Sequence, residues 1–376
     1  MSRFDAAVCI GRFQPLQQAH LALIRRALAL APRCVVVVGS AFQARTSKHP
    51  LTGPERIELI RRELSPDERP RVGFLLQRDH ADDRTWLAAV RRGVLDRLRA
   101  APAVAADDRS ATNQPSVVLV GHWRDPTDDH LRQFDGWSFV DHPRVEGPET
   151  PAIWDAYYAC ADPGALESAL GGGDDGSALA RVAPALPAST REALLAWFAQ
   201  PRRAELADEW RHLQRYHAAW AGSPFPPVFV TVDAVLCCAG HVLLIRRGHW
   251  PGRGLFALPG GFIESRETVW QSTLRELGEE TALEIDDAAM RAAHRGSAVF
   301  DRPDRSQRGR TITHALHFDL GDHPLPSTRA GDDAAAVSWV PIAMLPSLED
   351  QFHDDHFQIL EHVLGPGILP SPPDGD

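Results

Sequence analysis

After Cys34 the chain runs through four consecutive valines, Val35 to Val38. An unbroken β-branched run of this kind suits a strand buried on both faces, which requires a parallel sheet with helices on each side. The neighbouring segments agree. Ala6–Ile10 and Ser116–Val120 are further apolar runs, each ending at a glycine, Gly11 and Gly121. His20–Leu30 carries apolar residues at helical spacing. Glu55–Leu64 reads as a helix, with Thr52 as its cap and Pro54 in its first turn. The β-α-β-α rhythm predicts an α/β domain whose ligand lies beyond the carboxyl ends of the strands, where both glycine turns fall.

The rhythm then changes. Gly171-Gly172-Gly173-Asp174-Asp175-Gly176-Ser177 reads as a flexible loop, and helical segments follow to about Trp220. Ser223-Pro224-Phe225-Pro226-Pro227 is the sharpest break, since proline fixes the backbone and removes donors. Beyond it, Val228–Leu236 and His241–Arg247 read as a hairpin, a helix is expected from Thr268 to Thr281, and strands at Ala298–Phe300, Thr311–Leu320 and Ala336–Val340. This mixed order predicts an α+β second domain. A chain of 376 residues with 44% apolar content can bury two cores.

Inside the expected second-domain helix, Glu276, Glu279 and Glu280 are spaced i, i+3, i+4 and share one face. Three like charges there oppose folding unless something neutralises them. A hard divalent cation with oxygen ligands does so, and Mg²⁺ bridges naturally to phosphate oxygens. Arg275 can orient a carboxylate through a forked contact. A solvated acidic face is the plainer alternative, but Gly261, Glu267 and the Arg275–Glu280 cluster recur at fixed offsets.

Gly261, Glu267, Arg275, Glu276, Leu277, Glu279 and Glu280 resemble the Nudix box, G-x5-E-x7-R-E-U-x-E-E-x-G-U, where U is a bulky apolar residue. The departure is Ala282 where that family has glycine; alanine is mildly strained if the turn needs positive φ. The resemblance implies hydrolysis of a nucleoside diphosphate linked to another group, with Mg²⁺ or Mn²⁺ as cofactor. It makes Glu276, Glu279 and Glu280 the metal ligands and gives Arg275 and Glu267 supporting roles. The segment Val299–Ala315 places four arginines, Arg302, Arg305, Arg308 and Arg310, in an acidic protein. That suits a phosphate pocket, with a solvated loop as the alternative. Together with Ala330-Gly331-Asp332-Asp333-Ala334 it resembles the loops of Nudix enzymes acting on ADP-ribose. Arg305, Arg308, Arg310, Asp332 and Asp333 are therefore expected substrate-binding residues, and ADP-ribose the substrate, giving AMP and ribose 5-phosphate. Asp332, Asp333 and Glu349 are candidates for the general base.

The first domain carries a second resemblance. Gly11-Arg12-Phe13-Gln14-Pro15-Leu16-Gln17-Gln18-Ala19-His20 resembles the turn G-R-F-Q-P-F-H-x-G-H of archaeal-type nicotinamide mononucleotide adenylyltransferases. Gly39-Ser40-Ala41, Thr46–Arg56 and Gly121-His122 with Arg124-Asp125 match further parts. The resemblance implies a Rossmann-like nucleotidyltransferase domain with Gly11, Arg12, Phe13, Gln14, Gln17, His20, Gly39, Ser40, Gly121, His122 and Asp125 around a nucleotide. ATP and nicotinamide mononucleotide are its expected ligands. The departures are Gln17 and Ala19, where the family has histidine and glycine, and Trp154, where the family's late Ser/Thr-x-x-Arg motif has arginine. Glutamine carries no charge, and tryptophan offers one neutral N–H instead of a fork. Three readings of this domain stand: a working transferase, a weakened one, or a binding module that controls the hydrolase.

The order of the two domains resembles bifunctional enzymes of nicotinamide dinucleotide metabolism. The expected boundaries are 1–165 for the nucleotidyltransferase-like domain, 166–226 for a helical extension and linker, 227–366 for the Nudix domain, and 367–376 for a disordered tail. A formal net charge of −10 opposes bulk affinity for nucleic acid or anionic membrane. Five cysteines without zinc spacing suggest a reducing compartment. With no signal-peptide pattern and no bilayer-length apolar run, a cytoplasmic protein is expected, either alone or as a homo-oligomer.

Overall fold

The computed structural model describes residues 4–100, 115–122, 133–143, 145–284, 286–331 and 333–368. The chain divides into two compact units. The first comprises residues 1–42 and 47–207, the second 43–46 and 208–376.

The first unit opens with β1 (Ala6–Gly11), α1 (Gln18–Leu30), β2 (Cys34–Val38), α2 (Gly53–Glu63), β3 (Val72–Leu76), α3 (Asp83–Ala100), β4 (Val117–Gly121) and β5 (Ser138–Asp141). The five strands form one sheet in the order β3-β2-β1-β4-β5, and every pairing is parallel. All five residues of β2 are buried, as the valine run requires. On one face Val8, Val35, Val37 and Leu119 pack against Val90, Val94 and Leu98 of α3. The strand order reverses between β1 and β4, the position beyond whose strand ends such sheets take their ligands. Thr52 caps α2: its hydroxyl accepts from the Glu55 N–H, and Glu55 answers on the Thr52 N–H. Then come α4 (Thr150–Ala159), α5 (Pro163–Leu170), α6 (Ala178–Val182), α7 (Ala188–Phe198) and α8 (Pro201–Trp220). Trp154, Tyr157, Tyr158 and Trp197 form an aromatic cluster within these helices. The boundary between the units lies inside α8.

The second unit contains β6 (Val228–Cys238), β7 (His241–Arg247), β8 (Phe256–Ala257), β9 (Gly260–Phe262), α9 (Val269–Thr281), α10 (Asp287–Ala293), β10 (His294–Phe300), β11 (Arg310–Asp319), β12 (Ala334–Pro341) and α11 (His356–Leu364). Its mixed sheet runs β10-β11-β6-β7-β12, with β8 on β7 and β9 on β6. The expected hairpin exists but pairs over only Cys237↔Val242 and Cys238↔His241. Its turn is Ala239-Gly240, both at positive φ, because β6 runs on through the two cysteines. Beyond that short ladder β6 pairs instead with β9 and β7 with β8. The inserted strands bring the glycines of β9 to the middle of the sheet. One core lies under α9, with Leu277 against Ala234, Leu236, Leu243, Leu316 and Phe318. Another lies on the opposite face, with Phe357, Ile359 and Leu360 of α11 against Val235, Val242, Leu244 and Ala315. Among the described residues no helix is long and apolar enough to cross a membrane.

Candidate functional site

Helix α9 starts where Thr268 caps it. The Thr268 hydroxyl accepts from the Gln271 N–H, and the Gln271 side chain accepts from the Thr268 N–H. Burial of Ser272, Thr273, Leu277, Glu280 and Thr281 fixes its rotation on the sheet. That rotation turns Arg275, Glu276 and Glu279 outward around one guanidinium. Arg275 Nε lies 3.1 and 3.0 Å from the two Glu267 oxygens. Its Nη1 donates to Glu276 and Glu279, each at 2.8 Å, and Nη2 to the Phe262 carbonyl at 3.1 Å. Burial works against this charge, but the bonds to Glu267, Glu276 and Glu279 outweigh it and raise the Arg275 pKa. The neutralising charge that the acidic face demands is thus supplied within the chain by Arg275. Among the described residues no three acidic, histidine or cysteine side chains already converge as a metal cluster.

Glu280 is held separately. It is 4% exposed and accepts the Gly260 N–H at 2.9 Å. Burial pushes its pKa up to about 8, with Glu276 and Asp233 adding and Gly260 and Arg247 opposing. Glu267 goes the other way: the Ser272 hydroxyl, at 2.7 Å, and Arg275 lower its pKa. Burial thus favours the neutral form of Glu280, and hydrogen bonding the charged form of Glu267.

The glycines of β9 are dictated by contact. A Cβ on Gly261 would stand 2.6 Å from the Glu276 carboxylate. One on Gly260 would stand 2.1 Å from the Val232 carbonyl oxygen. Gly331 crosses the end of α9, its N–H donating to the Glu280 carbonyl at 3.1 Å. Ala282 sits at φ 49° and ψ 27°, left-handed, so the turn does need the conformation for which glycine is suited.

The arginine loop separates into distinct jobs. Arg305, with a side chain 5% exposed, forks onto Asp355 at 2.8 and 2.7 Å and is part of the framework. Arg308 stacks over the Phe262 ring at 4.9 Å, directly beside the glycine turn. Arg310 donates to the Asp301 carbonyl. Arg302 is exposed. Asp333 is exposed, with its carboxylate 3.7 Å from His249 and its carbonyl accepting the Gly248 N–H. Asp332 lies outside the described residues. Glu349 is buried.

Two further groups near the glycine turn escaped the motif reading. Asp233 on β6 is buried, accepts the Thr313 hydroxyl at 2.6 Å, and has its pKa raised by burial. His356 Nδ1 accepts the Leu258 N–H at 3.0 Å and lies 3.9 Å from Asp233; burial pushes it down to about 4. A lone aspartate inside the apolar strand Val-Thr-Val-Asp-Ala-Val-Leu was the available signal for Asp233. His356 offered none.

In the first unit the glycine turn is braced from behind. Gly39 N–H donates to the Gly11 carbonyl at 2.9 Å, tying the ends of β2 and β1. Phe13 and Ser40 both adopt positive φ. Arg56, 1% exposed, donates to the carbonyls of Arg12, Gly39, Ser40 and Thr52. Gln14 Nε2 donates to the Leu51 carbonyl at 2.9 Å, and the Gln14 carbonyl accepts the Trp154 indole N–H at 3.1 Å. Gln17 caps α1: its N–H donates to His20 Nδ1 at 3.1 Å, and its amide donates to the Thr150 hydroxyl at 3.4 Å. His20 packs edge-on against Phe13, and burial pushes its pKa down to about 4. Arg12 is exposed. His122 follows Gly121 at the end of β4, its Nδ1 3.2 Å from the His142 carbonyl. Asp125 lies outside the described residues.

Comparison with known proteins matches both units. The NUDIX domain model matches residues 228–363, and the Cytidylyltransferase-like model residues 8–74. An ADP-ribose pyrophosphatase of Methanocaldococcus jannaschii is 36% identical over 135 residues, 36% of this chain and 72% of that protein. A nicotinamide/nicotinic acid mononucleotide adenylyltransferase of Acinetobacter baylyi is 29% identical over 159 residues, 42% of this chain and 78% of that protein. The crystal structure of a bifunctional NMN adenylyltransferase/ADP ribose pyrophosphatase from Francisella tularensis, complexed with AMP and a Mn ion, superposes with a TM-score of 0.81 at 28% identity. The match covers 96% of this chain and 98% of that one.

Proposed function

The chain belongs to the Nudix family, and on that premise we propose that its second unit hydrolyses the diphosphate of ADP-ribose to AMP and ribose 5-phosphate. Related nucleoside diphosphates are the alternative substrates. The single observation that carries the reading is the gathering of Glu267, Glu276 and Glu279 on one Arg275 guanidinium, directly under the β9 glycines. A hydrolase of this type is fused here to a nucleotidyltransferase-like unit.

Glu276, Glu279 and Glu280 would hold the divalent cation, Mg²⁺ or Mn²⁺, since carboxylate oxygens are the hard donors both ions prefer. When bound, the cation polarises phosphoryl oxygens and makes a bound water more acidic. The chain's own groups set the geometry. The Gly260 N–H fixes Glu280, and the absence of a side chain on Gly261 leaves room for Glu276. Arg275 keeps the remaining carboxylates from repelling one another. Arg308, over Phe262, is the guanidinium best placed beside the turn to meet a phosphate oxygen. Arg310 and Asp333 complete the proposed substrate contacts, while Arg305 acts through Asp355 as a positioning residue. In the reaction a water oxygen bonds to phosphorus, the bridging P–O bond breaks, and the departing phosphate keeps the bridging oxygen. The water proton passes to a carboxylate, for which Asp332, Asp333 and Glu349 are the candidates. The five free thiols fit a reducing cytoplasm.

The test is a product assay on purified protein with Mg²⁺ or Mn²⁺, against ADP-ribose, its phosphorylated relatives and dinucleotides. AMP should appear from ADP-ribose, and the Glu276→Gln and Glu279→Gln variants should each lose roughly a thousandfold in turnover, the worth of several kcal/mol. No AMP from ADP-ribose with either cation, or full turnover in both variants, overturns the reading.

A further inference from the structure

A buried carboxyl group is costly unless its oxygens are used. Asp233 stands in the apolar run of β6, 5% exposed and outside the span of the Nudix box. Its Oδ2 accepts the Thr313 hydroxyl at 2.6 Å. Its Oδ1 lies against the glycine turn, since a Cβ on Gly260 would stand 2.8 Å from it. The strand register sets this contact. Asp233 pairs with Gly260 across β6 and β9, and the Ala234 N–H donates to the Pro259 carbonyl at 2.8 Å.

The turn Leu258-Pro259-Gly260 has only two N–H groups, because proline has none. Each is taken by a side chain from a different helix. The Leu258 N–H donates to His356 Nδ1 of α11 at 3.0 Å, and the Gly260 N–H to Glu280 of α9 at 2.9 Å. His356 Nδ1 also lies 3.9 Å from Asp233 Oδ1, so the two supports of the turn adjoin. The aim of the Glu280 carboxyl group thus depends on one peptide N–H. The place of that peptide depends in turn on Asp233 packed against it and on His356 at the other end of the turn. A partner that orients a metal-binding side chain is worth about tenfold or more in cation affinity or turnover.

We propose that Asp233 and His356 are positioning residues of the hydrolase. They seat the Leu258–Gly260 turn so that its last N–H holds Glu280 ready for the divalent cation. The inference rests on the reading of Glu280 as a cation ligand.

Two measurements on the full chain test it. Mn²⁺ is titrated by calorimetry without substrate, and the heat that survives in the Glu276→Gln/Glu279→Gln variant is subtracted. Turnover of ADP-ribose is then followed at a fixed Mn²⁺ concentration. Asp233→Ala and His356→Leu should each weaken Mn²⁺ binding about tenfold or more and lower kcat to a similar degree, with KM for ADP-ribose within about twofold of wild type. Asp233→Asn keeps an acceptor for Thr313 and the shape of the seat, and should restore both quantities to within about threefold. Substitution at buried positions can unfold the unit, so melts in EDTA accompany each variant. Thr313→Val, which removes only the hydroxyl that fixes Asp233, is made as well and should weaken Mn²⁺ binding about threefold, the worth of one net hydrogen bond. The inference is overturned if folded Asp233→Ala, His356→Leu or Thr313→Val binds Mn²⁺ as wild type does, if the loss falls on KM alone, or if Asp233→Asn is as impaired as Asp233→Ala. A wild type that neither binds Mn²⁺ nor releases AMP overturns the reading of the cation site itself.

Discussion

Gly261 lacks a side chain because Glu276 occupies the space one would fill. The obstructing atoms are the far end of a flexible side chain, so Gly261→Ala should displace the carboxylate and leave the backbone alone. Turnover should fall about a hundredfold or more while the melting temperature shifts by no more than about 2 °C. Steady-state kinetics beside a thermal melt separates this from general damage; a large drop in melting temperature would mean the strand itself had moved. Ala282 offers the opposite case. At φ 49° an alanine carries left-handed strain that glycine does not. Ala282→Gly should stabilise the second unit by about 1 kcal/mol with activity intact. A denaturant midpoint that does not rise would show the strain to be relieved elsewhere. Both residues were legible in the sequence, the first as a fixed glycine and the second as a departure from one. What one sequence could not reveal was the partner, since Glu276 lies fifteen positions beyond Gly261 and meets it only once α9 crosses β9.

Elements behave as their sequences suggest when the controlling contacts are local. The extent of α9 and its acidic face were legible in local spacing, and its Thr268 cap is equally local. The arginine loop did not, because Arg305 meets Asp355 fifty positions away, and no local pattern marks that pair. Trp154 is similar: its substitution was visible, but its bond to the Gln14 carbonyl is a tertiary fact. Within α9, Arg275 is the common partner of three carboxylates, so Arg275→Gln leaves them facing one another. The metal-free melting temperature should fall by several degrees, and added Mg²⁺ should restore more of it than in wild type. Equal cation-dependent shifts in the two proteins would show that Arg275 and the cation do not share those carboxylates. Helices α1 and α11 share another property, a histidine in the first turn, half-buried in α1 and buried in α11. His20 and His356 both have pKa values near 4, lowered by burial from an ordinary 6.5. The unfolded chain takes up a proton there more readily, so this stability is complete above about pH 6.5 and is lost as pH falls towards 4. Melts from pH 7 to pH 4 should slope downward, and His356→Gln should flatten the contribution of the second unit. An unchanged slope would assign the acid sensitivity to other groups.

At the scale of the whole molecule, each unit encloses its own core. Val8, Val37 and Leu119 pack with α3 in the first; the second has one core under α9 and another under α11. Substitutions that share no partner respond independently. Glu276→Gln combined with Glu279→Gln should therefore abolish AMP formation from ADP-ribose while the affinity for nicotinamide mononucleotide in EDTA stays within about twofold of wild type. If the glutamine substitutions weakened mononucleotide binding by about tenfold, the mononucleotide would be seated in the second unit and the first would not be its holder.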